Sequence, residues 1–125
     1  MLETSVCVAL LRGRVGSARL PDVSECMLSV ITVAELEVGI RRSVRPTEQR
    51  NAVRALTGLF DVLPWDLETT HHYGEIRVDL EKRGLVIGPL DVLIAAHARR
   101  LGATLLTGNY REFQRIQGLA CLDWK

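Results

Sequence analysis

The clearest structural signal in the chain is the segment GPLDVLIAAHA, residues 88–98. Pro89 suits the first turn of a helix, because its missing N–H would have no partner there anyway. Apolar residues then recur at helical spacing as far as Leu101, and Gly102 is placed to end the helix in a left-handed cap. Asp91 lies in the first turn. A carboxylate there either interacts with the positive helix N-terminus or belongs to a functional site, and its position alone leaves both interpretations open.

Length, charge and cysteine content limit the class of protein. The 125 residues fit one domain, spanning residues 1–125. A formal net charge of +1 excludes a strongly basic nucleic-acid clamp, so nucleic-acid binding would need a local basic patch or a metal ion. No apolar run approaches the ~20 residues of a membrane helix, and the early polar segment from Glu3 to Ser5 is unlike a signal peptide. The three widely spaced cysteines form no zinc pattern, so we expect a reducing, cytoplasmic environment.

Strands and helices are predicted to alternate along the chain. Short apolar runs predict strands at residues 2–5, 27–31, 62–65, 103–107 and 119–122. Helical patterns predict helices at residues 6–11, from 32 to beyond 40, 46–60, 67–84, 89–101 and 111–115. Residues 12–25 are polar and are predicted to form a loop with room for a short helix. This alternation predicts an α/β fold with a parallel central sheet and helices on both faces.

Four polar side chains follow predicted strands or begin helices, namely Glu3, Glu35, Asp91 and Asn109. Sites in open parallel sheets form outside the carboxyl ends of the strands, so we expect these four to meet at one edge. Converging carboxylates raise one another's pKa values, and a divalent cation relieves that repulsion. Oxygen ligands of this kind suit magnesium or manganese.

Each of these residues also has a purely structural interpretation. Thr32 and Glu35 fit a capping box, in which Glu35 would hydrogen-bond back to the Thr32 amide. Asn109 is also typical of a turn, and Glu3 of a solvated terminal charge. His97 is expected to pack or hydrogen-bond in the core. A solvated helical face, or less readily phosphate contacts, would explain the arginines at positions 41, 42, 45, 50 and 54.

A family resemblance is carried by four segments in a fixed order. They are LETSV (residues 2–6), SVITVAELEVGI (29–40), IGPLDVLIAAHA (87–98) and TGNYREF (107–113). In these segments the chain resembles the PIN-domain ribonucleases, and specifically the VapC-type toxins of bacterial toxin–antitoxin pairs. The similarity extends over essentially the whole chain, and the four segments together are more specific than any one of them.

This resemblance implies a metal-dependent endoribonuclease with a PIN-domain fold. It assigns Glu3, Glu35, Asp91 and Asn109 to the binding of magnesium or manganese. Of these, Glu35, Asp91 and Asn109 are also implied to be catalytic, with Thr107 as a nearby polar support. Such ions activate water and neutralise the attacked phosphate. The family further implies a homodimer and a VapB-type antitoxin that inserts a basic side chain into the acidic site.

Two features depart from the family pattern. Glu3 stands where the family has Asp, and fewer residues precede it than the family carries. We expect both to weaken metal binding without changing the fold, which predicts a weak nuclease.

Two other classes of function compete with this interpretation. One is a non-catalytic PIN module that only binds antitoxin or RNA, an alternative that Glu3 keeps open. The other is a phosphoacceptor signalling domain, which is disfavoured because Asp91 begins a helix and no lysine follows Asn109 before Lys125.

Overall fold

The computed structural model describes residues 1–14 and 20–125. The helices in this part of the chain are α1 (Thr4–Leu11), α2 (Val30–Arg42), α3 (Pro46–Thr57), α4 (Leu67–Lys82), α5 (Pro89–Leu101) and α6 (Tyr110–Phe113). The strands are β1 (Met27–Ser29), β2 (Asp61–Leu63), β3 (Leu105–Thr107) and β4 (Cys121–Asp123). The alternation of the two confirms the predicted α/β architecture. Part of the loop predicted at residues 12–25 lies outside the described residues, and its end forms a 3-10 turn at Val23–Glu25.

The strands pair in parallel, as predicted. β1 pairs with β2 and β3 with β4. Leu2 joins the two pairs, because it forms a parallel bridge with Leu106 and its N–H donates to the Met27 carbonyl at 3.0 Å. The strand predicted at residues 2–5 is therefore reduced to this one bridging residue, and helix α1 begins at Thr4.

Helices cover both faces of the strands. Successive residues of a strand point to opposite faces, and the neighbours Leu105 and Leu106 belong to two different hydrophobic clusters. The cluster around Leu105 contains residues of α4, α5 and α6, including Phe113. The cluster around Leu106 contains residues of α1, α2 and α3, including Leu36. Burial on both faces explains why these strands are short, apolar runs rather than alternating ones.

Several helix ends lie where the sequence predicts them. Gly102 adopts a left-handed conformation with φ of 63°, which ends α5. Asp66 caps α4 by accepting a hydrogen bond from the Thr69 amide at 3.1 Å. His97 packs in the core as expected, with only 2% of its surface exposed and Nδ1 at 2.7 Å from Ser29 Oγ.

The start of α2 differs from the prediction. Ser29 is the N-cap, because its Oγ accepts the Ile31 amide at 3.1 Å, and the helix begins at Val30. The predicted strand at residues 27–31 therefore ends two residues early, and Thr32 lies inside the helix. The proposed capping box is wrong, since Thr32 is not at the N-cap and Glu35 is free for another role.

The remaining boundaries differ by a few residues. Trp65 lies after β2, where its indole N–H donates to the Leu93 carbonyl at 2.9 Å. Helix α3 ends at Thr57 instead of reaching residue 60. Among the described helices, we find none that combines the length and the apolar character required to cross a lipid bilayer.

Candidate active site

An acidic cleft of about 640 Å³ opens at the carboxyl ends of β1 and β3. Its walls include the four residues that the sequence selected: Glu3, Glu35, Asp91 and Asn109. Three different helices contribute to it, because Glu3 precedes α1, Glu35 lies in α2 and Asp91 lies in α5. The cleft therefore forms only when the chain has folded, and residues more than a hundred positions apart meet there.

Glu3 is buried, with 2% of its surface exposed, and two hydroxyl groups hold its carboxylate. Thr107 Oγ1 donates to Glu3 Oε2 at 2.9 Å, and the Ser5 hydroxyl donates to the same oxygen. Ser5 Oγ in turn accepts the Gly108 amide at 2.9 Å. The structural alternative for Glu3, a solvated terminal charge, is therefore wrong.

Glu35 is held by the helix that follows Glu3. Thr4 Oγ1 donates to Glu35 Oε1 at 2.7 Å and lies 3.3 Å from Thr32 Oγ1. Glu35 is one turn into α2, so the cap at Ser29 sets the position of its backbone. Hydrogen bonds of this kind fix the direction of a carboxylate without neutralising its charge.

Among the acids that line the cleft, Asp91 has the clearest pKa shift. Burial, followed by repulsion from Glu3, Glu35 and Glu112, raises the pKa of Asp91 to about 6. An acid that merely stabilised a helix N-terminus would have its charged form favoured, which is the opposite effect. The shift favours the functional interpretation of Asp91.

Thr107 and Asn109 occupy different positions in the cleft. Thr107 is fully buried behind Glu3, and its Oγ1 also accepts the Asn109 amide at 2.9 Å. Asn109 precedes α6, is exposed at the cleft wall and forms no side-chain cap with that helix. Thr107 therefore supports the position of the Asn109 backbone, whereas the Asn109 side chain faces the cleft.

Glu112 is an acid that the sequence analysis did not select. It lies in α6 and is close enough to Asp91 to raise its pKa. The selection considered only residues directly after strands or at the starts of long helices, and Glu112 is neither. One signal could have identified it: Glu112 follows Asn109 by three residues in a short predicted helix, and residues three apart lie on the same side of a helix.

The donor set suits a hard divalent cation. Three carboxylates and one amide oxygen line the cleft, and their mutual repulsion is what a cation would relieve. In the part of the chain that the structure describes, no three His, Cys, Asp or Glu residues lie close enough to ligate one ion together. The residues therefore fit an ion that keeps several water ligands, as magnesium does, better than one enclosed entirely by protein.

The chain is similar to known proteins over nearly its full length. Residues 1–119 match the PIN-domain family. The chain is 35% identical to the tRNA(fMet)-specific endonuclease VapC of Shigella flexneri over 99% of this chain and 96% of the relative. It is similar to the structure of VapBC2 from Rickettsia felis bound to a promoter DNA fragment, with 31% identity and a TM-score of 0.89, covering 100% of this chain and 98% of the other.

A further solved structure, VapBC-1 from nontypeable Haemophilus influenzae, is 37% identical with a TM-score of 0.83, covering 99% of this chain and 96% of the other. These similarities extend over nearly the full length of each protein, and they confirm the resemblance seen in the four sequence segments. The chain belongs to the VapC group of the PIN-domain family.

Proposed function

We propose that the chain is a VapC-type endoribonuclease, the toxin of a toxin–antitoxin pair, which hydrolyses phosphodiester bonds in RNA. One observation carries the proposal, namely the position of Asp91 among the other carboxylates of a single open cleft. The ribonuclease names of relatives that align over nearly their whole length support it. We take residues 1–125 as one PIN domain.

PIN-domain nucleases generally depend on a divalent metal ion. We propose magnesium or manganese, which one or two of the carboxylates of Glu3, Glu35 and Asp91 would bind directly, while the remaining carboxylate and the amide oxygen of Asn109 would bind through its water ligands. The chemistry that the ion supplies when bound is activation of water and neutralisation of charge on the attacked phosphate.

The residues of the chain orient this site in advance. Thr107 and the Ser5 hydroxyl direct one oxygen of Glu3, and Thr4 directs one oxygen of Glu35. Preorganised charges of this type stabilise a transition state without further rearrangement. Burial and the neighbouring carboxylates raise the pKa of Asp91 to about 6, and positive charge bound in the cleft would lower it and favour the ionised form.

We further propose a VapB-type antitoxin as partner, because structures similar to this one are VapBC complexes. A basic side chain of the antitoxin entering the acidic cleft would block it. We also propose a homodimer, on family grounds, and action in the cytoplasm, where the RNA substrates are found.

The test is cleavage of total RNA and of bulk tRNA, including initiator tRNA, by the purified chain. We expect cleavage with magnesium or manganese, none with EDTA, and none with Asp91→Asn under either condition. The proposal would be contradicted if the free chain cleaved no RNA at any metal concentration and yet still bound the antitoxin in a separate assay. That result would favour the non-catalytic PIN module.

A further inference from the structure

The acidic cleft continues on both sides into shallower grooves of about 350 Å³ each. The first, here called the α2 arm, shares Val8, Arg12 and Glu35 with the cleft and extends to Arg42 and Gln49. The second, here called the α6 arm, shares Gly108, Asn109 and Lys125 with the cleft and extends to Tyr110, Arg111 and Asp123. Shared walls make the three depressions one continuous trough.

Charges of both signs line the trough. Glu3, Glu35 and Asp91 line its centre, and the cationic walls of the same cleft are Arg12, Arg14 and Lys125. Arg12 and Lys125 are shared with the arms, Arg42 lies further along the α2 arm, and Arg111 lies further along the α6 arm with Glu112 and Asp123. The four basic residues of the arms are exposed, and within the described residues none of their side chains forms an ion pair or a hydrogen bond. Elsewhere on the described surface, Arg45, Arg77, Arg83, Arg99 and Arg100 each lie within 4 Å of an acid. The α2 arm therefore carries a net positive charge, and in the α6 arm Arg111 and Lys125 lie beside Glu112 and Asp123 without forming an ion pair with either.

One face of α2 forms the path from the acids to Arg42. Glu35, Gly39 and Arg42 are spaced at i, i+4 and i+7, so they lie along the same side of the helix. The rise over seven residues is about 10 Å. Gly39 is exposed, and a Cβ built there would meet nothing within 4 Å, so the groove stays open between Glu35 and Arg42.

We propose that the two arms bind the phosphates of a single RNA strand on either side of the bond cleaved in the centre. Cations at both ends attract backbone phosphates, while the acidic centre accepts a phosphate only together with a metal ion. Tyr110 in the α6 arm offers a ring on which a base can stack. An arginine-rich antitoxin segment suits the acidic centre, but Arg42 and Arg111, which form no ion pair within the described residues, would repel it, so the observations favour RNA. This inference rests on the proposed function.

The charge test uses Arg42→Ala and Arg111→Ala, because these two residues line the arms and not the central cleft. Binding of a labelled, unstructured oligoribonucleotide is measured by anisotropy in EDTA over a range of salt concentrations. We expect each variant to bind several-fold more weakly and to reduce the salt slope by about 0.7, the value for one phosphate contact of a single strand. The controls are Arg41→Ala and Arg54→Ala, which remove exposed arginines outside the trough and should bind as wild type.

The shape test uses Gly39→Leu, which fills the α2 arm without changing its charge. Leu is a better helix former than Gly, and the space at this position is open, so the variant should fold. Gly74→Leu in α4 is the matched control, since a Cβ there also meets nothing within 4 Å. We expect Gly39→Leu to bind RNA more weakly than wild type and Gly74→Leu to bind it as wild type does.

Binding in EDTA separates this inference from the nuclease proposal. A chain that binds RNA through its arms but never cleaves it would contradict only the proposed function. The inference would be overturned if the chain cleaved RNA and the variants at Arg42, Arg111 and Gly39 bound it as well as wild type does. Loss of antitoxin co-purification with unchanged RNA binding would assign the arms to the protein partner and also overturn the inference.

Discussion

Ser29 Oγ lies 2.7 Å from Nδ1 of His97, and this buried hydrogen bond joins the two helices that carry Glu35 and Asp91. Ser29 Oγ also accepts the Ile31 amide, so it has its own hydrogen to donate to Nδ1. Burial lowers the pKa of His97, which keeps the ring neutral and Nδ1 available as an acceptor. The pair therefore fixes the start of α2 relative to α5.

We expect Ser29→Ala to lower both stability and cleavage. It removes the N-cap of α2 and leaves Nδ1 of His97 without its partner, at a cost of about 1–3 kcal/mol in the free energy of unfolding. Thr70→Ala, which removes only an exposed hydroxyl bond to the Leu67 carbonyl, is the control. Urea unfolding measures the first effect and RNA cleavage the second. Equal stability and equal cleavage for the two variants would show that the Ser29–His97 hydrogen bond does not hold α2 against α5.

The pH dependence of stability tests the neutral state of His97. Burial lowers its pKa, with Asp66 opposing the shift and Arg100 adding to it. Below pH ~6.5 the unfolded chain therefore binds more protons than the folded chain does. The contribution of neutral His97 to the free energy of unfolding is complete above that pH and is lost as the pH falls through the folded-state pKa. We expect His97→Gln to lose less melting temperature than wild type between neutral pH and about pH 5. Parallel curves for the two proteins would contradict this prediction.

The sequence predicted those features that one residue and its neighbours determine. The left-handed cap at Gly102 and the N-cap at Asp66 are of this kind, because Gly and Asp have local conformational preferences. The predicted end of β1 was wrong, because the β-branched residues Val30 and Ile31 favour a strand. The helix nevertheless begins at Val30, because Ser29 caps it.

The candidate site was partly predictable for a related reason. Glu35, Asp91 and Asn109 lie near strand ends or helix starts, and parallel topology brings such positions to one edge. The support of Glu3 by Thr107 was invisible to local patterns, because 104 positions separate the two residues. Glu112 and the basic residues of the arms were missed because their roles depend on which helices pack side by side.

We expect Asp91→Asn to abolish cleavage and to raise the melting temperature at neutral pH. The raised pKa means that the folded state holds the Asp91 proton more tightly than the unfolded state does. This contribution to stability therefore decreases as the pH rises from 3.8 to about 6 and stays low above that. The gain from Asn should appear across the same interval and be absent below it, as calorimetry at several pH values will show. A lower melting temperature for Asp91→Asn at neutral pH would return Asp91 to a helix-stabilising role.

Glu3 carries the last prediction, because its charge and its length have separate effects. Glu3→Gln keeps an acceptor oxygen for the Thr107 and Ser5 hydroxyls but removes the negative charge. We expect it to stay folded and to cleave RNA at least ten-fold more slowly, since one site carboxylate is lost.

Glu3→Asp keeps the charge and withdraws the carboxylate from the two hydroxyls by about one methylene. We expect Asp to lower the melting temperature, because the two hydroxyl bonds weaken, and to raise the cleavage rate, because the resemblance implies Asp at this position of the site. A shift of ~1 Å in a catalytic group can change rates on the order of 100-fold, so the effect should be measurable at saturating magnesium. Glu3→Ala is the reference for losing both charge and hydrogen bonds. If it cleaves as fast as wild type while Glu3→Asp gains nothing, Glu3 serves the fold and not the reaction.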